Sequence, residues 1–221
     1  MSATIFISRE LTDDNHLVLS LASHGYKLIA EPMICTEGID FEPKEFRSGW
    51  IFFSSKQGVH HFFERDPDIG KCELAAIGEG TARLLRKYGE VSFVGSVPDT
   101  AEVARAFRAV VGRKKCWFPI SELSVRTVQQ ALPASQVNDI ICYRTVENPR
   151  PVGHPDILVF SSPSNVDAFL KVNAILPIQK VIAFGKTTAA ALTRHGFDQV
   201  VVSRGTSDAA LLDAIKTVQE S

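Results

Sequence analysis

Ile51-Phe52-Phe53-Ser54-Ser55-Lys56-Gln57-Gly58-Val59-His60-His61-Phe62 returns later in the chain as Leu158-Val159-Phe160-Ser161-Ser162-Pro163-Ser164-Asn165-Val166-Asp167-Ala168-Phe169. A second block, Ala76-Ile77-Gly78-Glu79-Gly80-Thr81-Ala82, returns as Ala183-Phe184-Gly185-Lys186-Thr187-Thr188-Ala189. The offset from Phe53 to Phe160, 107 residues, is also the offset from Gly78 to Gly185. Two separate blocks with one gapless offset mark a duplicated unit. Each copy reads as a strand entering a helix. Residues 50–53 and 157–160 are short and apolar throughout, as parallel strands covered on both faces require. The serine pairs that follow supply hydroxyls suited to helix N-caps. Val59, Phe62 and Phe63 then recur at helical spacing, as do Val166, Phe169 and Leu170.

The same logic extends outward. Residues 74–77 and 181–184 read as strands, and Gly78 and Gly185 make the next turns. Helices from about Thr81 and Thr188 are expected to stop at Gly89 and Gly196. Thr100-Ala101-Glu102 and Ser207-Asp208 open a third helix in each copy. Residues 4–7 predict a strand, 12–24 a helix stopped by Gly25, and 26–30 a strand; residues 115–120, 125–132 and 137–143 repeat that order. Alternating short strands and helices predict an α/β fold with parallel sheets of doubly wound type. Residues 31–41 and 144–155 are richer in Pro, Gly and charge and read as two crossings between lobes. This gives a continuous lobe over 40–143, a discontinuous lobe from 1–34 plus 148–221, and linkers at about 35–39 and 144–147.

The 221 residues suffice for one large domain or two small ones. An apolar fraction of 45% and a charged fraction of 22% are those of an ordinary globular chain, which excludes disordered and fibrous classes. With 24 Lys and Arg against 25 Asp and Glu, no global field attracts nucleic acid or an anionic membrane, so a polyanionic ligand must be met by local donors. The start shows no basic flank leading into a long apolar stretch, and no apolar run is long enough to span a bilayer. Cys35, Cys72, Cys116 and Cys142 form no C-x-x-C pair and read as reduced, mostly buried thiols of a cytoplasmic protein.

At this point the residues resemble a known family, the uroporphyrinogen-III synthases. The resemblance rests on the strand-Phe-Ser-Ser turn, the later Ile-Gly-x-x-Thr-Ala turn and their duplication. Ile140-Ile141-Cys142-Tyr143-Arg144-Thr145 is similar to that family's junction between lobes, and Ile7-Ser8-Arg9 to its N-terminal turn. The resemblance implies two Rossmann-like three-layer α/β/α lobes, a two-stranded antiparallel linker and an active cleft between the lobes. It implies an enzyme that removes water from hydroxymethylbilane, a linear tetrapyrrole, and closes the macrocycle with ring D inverted through a spiro intermediate. No cofactor and no metal are implied. The implied partners are the small-molecule substrate and, transiently, the preceding pathway enzyme.

Such a substrate is a polycarboxylate. Strand-to-helix turns can bind it, because their unpaired N–H groups and the helix dipole favour anions. The candidate substrate-binding residues are therefore Arg9, Ser54, Ser55, Lys56, Gly78, Thr81, Ser161, Ser162, Ser164, Asn165, Gly185, Lys186, Thr187 and Thr188, with Arg144 as a further cation. The plainer reading of each turn is helix capping, and the hydroxyls can serve both purposes. Tyr143 is the candidate proton donor to the departing hydroxyl; its plainer reading is a ring packed in a hinge strand. Three departures from the family pattern stand out. Glu122 would repel a carboxylate, with Arg126 as a compensating cation; Glu10 follows Arg9; and Glu79 sits in the Gly78 turn.

Other signals are weak. Gly78-Glu79-Gly80-Thr81 resembles a dinucleotide fingerprint, but Arg83 stands where its third glycine belongs. His60 and His61 are adjacent and read as solvent-facing, and the remaining histidines lack ligand spacing. Short basic clusters at 83–87 and 113–115 read as solvated faces, not nucleic-acid sites. The rival from another class is a two-lobed binding or sensor protein that closes on a ligand without chemistry.

Overall fold

The computed structural model describes residues 3–42, 46–205 and 207–219. In chain order the elements are β1 (Thr4–Ile7), α1 (His16–Ser23), β2 (Lys27–Ala30), β3 (Ile34–Gly38), β4 (Ser48–Phe53), α2 (Lys56–Phe63), β5 (Lys71–Ala76), α3 (Glu79–Leu85), β6 (Val91–Val94) and α4 (Thr100–Val111). The chain continues through β7 (Cys116–Ser121), α5 (Thr127–Gln130), β8 (Val137–Glu147), β9 (Ile157–Phe160), α6 (Pro163–Phe169), β10 (Lys180–Ala183), α7 (Lys186–Arg194), β11 (Val200–Val202) and α8 (Asp208–Gln219). They form two compact units: Met1–Cys35 with Val146–Ser221, and Thr36–Thr145.

The first unit's sheet has the order β11-β10-β9-β1-β2, with every pairing parallel. The second unit's has β6-β5-β4-β7-β8, again parallel, with β3 added outside β8. The two orders match strand for strand. The second unit is traced in one pass of the chain, whereas the first takes β1-α1-β2 from the start and β9 to α8 from the end. β3 and β8 are the chain's two crossings. Ile39 N donates to Cys142 O and Asn148 N to Met33 O, each at 2.8 Å, so these two strands run antiparallel.

Strand alternation builds two apolar layers per unit. In β4, Ile51 and Phe53 join Val59 and Phe62 of α2 and Ala82 and Leu85 of α3. Trp50 and Phe52 face the other way, onto Val103, Phe107 and Val111 of α4. The first unit repeats the arrangement: Ile5, Val159 and Ile182 pack on α1 and α8, and Phe6, Leu158 and Val181 on α6 and α7. Phe52 and Phe107 approach to 4.7 Å between ring centroids, and full burial of each such ring contributes about 1.5–3 kcal/mol. The duplication extends to the backbone. Ser55 and Ser162 cap α2 and α6 with φ/ψ of −156°/157° and −156°/159°.

Several elements differ from the reading of the sequence. Helix α1 starts at His16, not Thr12, because Asn15 caps it by accepting from Leu17 N at 2.8 Å. Helix α5 is only four residues long, since Arg126 adopts φ 61° and ends any helix running through Val125. Glu31–Phe41 contains a strand, β3, and β8 runs on to Glu147, because each crossing segment satisfies the other's backbone. Gly196 and Gly25 take the left-handed conformation after their helices, but α3 ends at Leu85 and Gly89 is not its cap.

The thiols are graded. Cys116 and Cys142 are buried, Cys72 is half-buried and Cys35 is exposed. Burial pushes the Cys72 thiol up to about 11 and that of Cys142 to about 12, and raises Cys116 as well. A thiolate is the reactive species. A disulfide reagent at neutral pH is therefore expected to modify one thiol, Cys35, quickly in the native protein and all four after unfolding. Rapid native reaction of two or more would contradict the burial. No helix among the described residues is long and apolar enough to cross a membrane.

Candidate functional site

The site residues gather where strands end and helices begin. In the second unit, β4 delivers Ser54 and Ser55 to the start of α2. Ser55 Oγ accepts from Gly58 N at 2.9 Å, while Ser54 and Lys56 stand exposed beside it. Gly58 has a steric reason: a Cβ there would lie 2.8 Å from Pro119 O, so only glycine lets α2 settle against the end of β7. The remaining N–H groups of the first turn have no acceptor within the helix and carry the positive end of its dipole.

Tyr143, midway along β8, reaches this turn. Its hydroxyl lies 3.0 Å from Ser55 Oγ, and the residue is only 8% exposed. Burial raises its pKa above that of a free phenol, against the opposing effect of the Ser55 hydrogen bond. The phenol therefore keeps its proton through neutral pH. The ring of His61 lies against Tyr143, with centroids 5.4 Å apart and planes 20° from parallel. His61 Nε2 is 2.9 Å from Thr36 Oγ1 and Nδ1 is 3.0 Å from Glu64 Oε2. The expectation that both histidines face solvent holds for His60 and fails for His61, which is 6% exposed. The helix turns successive residues by about 100°, which carries His61 inward beneath β3 and β8.

The neighbouring turn joins β5 to α3 through Gly78, whose backbone is extended at φ −174°. Thr81 is buried, so this turn exposes backbone more than hydroxyl. Lys56 arches over it: a Cβ at Gly80 would meet Lys56 Cε at 3.6 Å. Glu79, the acid in this turn, is bound by Arg86 at 2.5 and 3.1 Å, and that bond lowers its pKa.

In the first unit the corresponding turns are more heavily cross-linked. Ser161 N donates to Ser8 Oγ at 2.8 Å, and Ser161 Oγ donates to Ser8 O at 2.7 Å. Asn165 Nδ2 donates to Ser161 Oγ at 3.2 Å and Ser162 Oγ at 2.9 Å, while its Oδ1 accepts from Met33 N at 2.8 Å. Asn165 is 3% exposed. Its amide holds the turn together, a structural use beside the expected contact with substrate. Ser164 remains exposed on α6. At the second turn Gly185 is extended at φ −169°, Lys186 and Thr187 are exposed, and Thr188 is buried. Arg9, just past β1, lies 5.1 Å over the Phe184 ring and pairs with Asp208 at 2.5 Å.

Two further cations are already paired. Arg144 donates to Glu37 at 3.2 and 3.0 Å. Arg126 Nε donates to Asp139 at 2.6 Å, so it does not compensate Glu122. Sequence reasoning missed His61, Thr36 and Ser8 as parts of these turns. A signal for His61 was its place three residues after Gly58, on the face that packs against Pro119. A cavity lined by Gln179, Lys180, Asp198 and Val218 lies at the amino ends of β10 and β11, the edge opposite the turns. Open α/β sheets bind ligands at the carboxyl edge, where all four turns lie. Among the described residues no group of three or more His, Cys, Asp or Glu is placed to hold a metal ion.

Known proteins share the sequence pattern and the fold. A family model described as "Uroporphyrinogen-III synthase HemD" matches residues 15–213. "Porphyrin biosynthesis protein HemD" of Ruminiclostridium josui is 22% identical over 236 aligned positions, covering 94% of this chain and 47% of that protein. The chain thus spans about half the length of this curated relative. The uroporphyrinogen-III synthetase structure from Helicobacter pylori superposes with a TM-score of 0.72 at 18% identity, over 99% of this chain and 100% of that one. A mutant uroporphyrinogen III synthase from Thermus thermophilus superposes with a TM-score of 0.53 at 16% identity, over 100% of both chains. At these identities the superpositions speak for the fold alone, while the family model takes in most of the sequence, from the first helix to the last. The chain belongs to the uroporphyrinogen-III synthase family.

Proposed function

We propose that the chain is a uroporphyrinogen-III synthase, converting hydroxymethylbilane to uroporphyrinogen III and water. Beyond family membership, one observation carries this reading: the Tyr143 hydroxyl meets Ser55 Oγ at 3.0 Å at the start of α2. A proton donor and an anion-binding turn occupy one place. In this reading the first-turn N–H groups of α2, α3, α6 and α7 receive substrate carboxylates, helped by exposed Ser54, Lys56, Ser164, Lys186 and Thr187. Tyr143 protonates the departing hydroxyl. Its C–O bond breaks with the electron pair leaving as water, and the electron-rich pyrrole holds the resulting cation. The methylene then bonds to the substituted carbon of ring D to give the spiro intermediate. The older bond from that carbon to the ring C methylene breaks, and that methylene closes onto the free α-carbon of ring D, which gives up its proton. This outcome depends on how the chain is held, so geometry does most of the work. Water is lost and a C–C bond forms with no net oxidation, so the balanced reaction calls for no electron carrier. The reading includes a cytoplasmic location, supported by four unpaired thiols. It also includes a brief contact with the preceding pathway enzyme, because the open chain closes spontaneously to the type I isomer.

The test is direct. Supplied with hydroxymethylbilane, and with the product oxidised for detection, the protein is expected to yield the type III isomer; the type I isomer alone would refute the reading and favour a ligand-binding protein. Gly185 offers a finer check. Its φ of −169° suits any residue, and a Cβ there would meet nothing within 4 Å. Neither conformation nor packing demands glycine, and close approach of a ligand would explain it. Gly185→Ala is expected to raise KM about tenfold, the loss of roughly one charge-assisted hydrogen bond. It should cost no more than about 1 kcal/mol of stability through the poorer N-cap. An unchanged KM would remove this turn from the binding surface.

A further inference from the structure

Arg9, just past β1 at the carboxyl edge of the first unit's sheet, holds a half-made ion pair. Asp208, the first residue of α8, meets it at one atom: Nη2 donates to Oδ1 at 2.5 Å. Nε of the same guanidinium is buried and, among the described residues, meets no acceptor. Other arginines of the chain are more fully bonded. Arg86 gives Glu79 two bonds, Arg144 gives Glu37 two, and Arg126 divides two between Asp139 and Ser124 O. A guanidinium is a flat fork of N–H donors that fits both oxygens of a carboxylate. Asp208 fills one prong of it.

The fold does not require this pair. The 107-residue offset matches Phe184 with Ile77 and Asp208 with Ala101. Strand register extends the match to β1: Ile5 lies beside Ile157 as Cys116 lies beside Trp50, which matches Arg9 with Ile120. The second unit thus closes the same corner with Ile120 and Ile77 in its apolar layer and an exposed Ala101. In the first unit the two charged side chains are 25% and 30% exposed, where an ion pair contributes little to stability. The Phe184 ring, 5.1 Å from Arg9 Cζ, steadies the guanidinium beside the turn that exposes Lys186 and Thr187.

We propose that Asp208 is a built-in stand-in for a substrate carboxylate: it occupies Arg9 before substrate arrives and yields it to a carboxylate of the ligand. The inference rests on the reading of the chain as a uroporphyrinogen-III synthase, whose substrate is a polycarboxylate. With Asp208 swung away, a ligand carboxylate free of the helix can bridge two N–H groups of Arg9 where the aspartate took one. The released Asp208 remains in the first turn of α8, where the helix dipole stabilises its charge. Because Asp208 competes for Arg9, it weakens binding by the fraction of time it holds the cation. A ligand displaces it best when its other carboxylates engage the neighbouring turn. The latch therefore favours a polycarboxylate over a lone carboxylate, and its return helps product leave.

A mutant cycle on the full chain tests this, read by the Kd for uroporphyrin III, a stable polycarboxylate, and by KM for hydroxymethylbilane. Asp208→Asn keeps the size of the side chain and gives up its charge; Kd and KM are expected to fall about fivefold. Arg9→Ala should raise both about tenfold. In the double variant the Asp208→Asn exchange should have no further effect, because Asp208 acts through Arg9. Arg9→Lys, a charge without a fork, serves if the alanine variant does not fold, and should bind about threefold more weakly than wild type. A pair that only braces the fold would shift the melting temperature and leave Kd unchanged. An unchanged or raised Kd in Asp208→Asn would overturn the latch, as would the same gain in the Arg9→Ala background or a lack of uroporphyrin binding throughout. The functional reading fails separately, by formation of the type I isomer alone.

Discussion

Tyr143→Phe is expected to lower kcat by about 10²–10⁴-fold, the usual contribution of a positioned general acid, while KM changes little. The exchange removes one oxygen and leaves the ring, so the stack on His61 persists. Ser55 Oγ keeps its bond from Gly58 N, so the cap of α2 and the anion-binding turn survive. The structural loss is one half-buried hydrogen bond, about 1 kcal/mol. Measured together, kcat, KM and melting temperature separate chemistry from packing. A large fall in kcat with a nearly constant KM supports proton donation, and an unchanged kcat removes Tyr143 from the mechanism. If the melting temperature and KM collapse together with kcat, the tyrosine is a hinge-packing residue.

Asn165→Ala should produce the largest stability change among the turn residues, about 2–4 kcal/mol. Its amide is buried and makes bonds to three partners, Ser161, Ser162 and Met33. Truncation leaves the Met33 N–H without its acceptor, and burying an unsatisfied donor costs more than the lost bond itself. In a chain of this size the loss corresponds to a fall of roughly 4–16 °C in melting temperature. The matching residue of the other copy is Gly58, which packs by shape alone. The two turns thus share a backbone but are held by different means. A melting temperature within about 1 °C of wild type would show that the Asn165 network is dispensable.

Much of the architecture was legible because it is written twice. The gapless offset tied Phe53 to Phe160 and Gly78 to Gly185, and the caps at Ser55 and Ser162 have the same backbone angles to within a few degrees. Apolar runs at residues 50–53 and 157–160 marked parallel strands, because a strand covered on both faces leaves no position for polar side chains. Elements that depend on distant partners escaped. β3 lies in a stretch with weak local preference for a strand and forms because β8 offers it a partner. Arg126 breaks α5 through its left-handed backbone, which no residue type at that position announces.

The candidate site divides along the same line. The amino-acid order alone determined which turns carry hydroxyls, glycines and cations, and that an alternating α/β chain places them at the carboxyl edge of its sheets. Those facts follow from local propensity and from the handedness of strand-helix connections, which act within a few dozen residues. Tertiary structure alone decided which of these groups are free to act. Burial turned Asn165 and Thr188 inward, acid partners occupied Arg9, Arg126 and Arg144, and Tyr143 was joined to Ser55 and His61 from elements far away in sequence. A side chain's availability depends on solvent exposure and on partners that arrive from elsewhere in the fold, and neither quantity exists until the chain has packed.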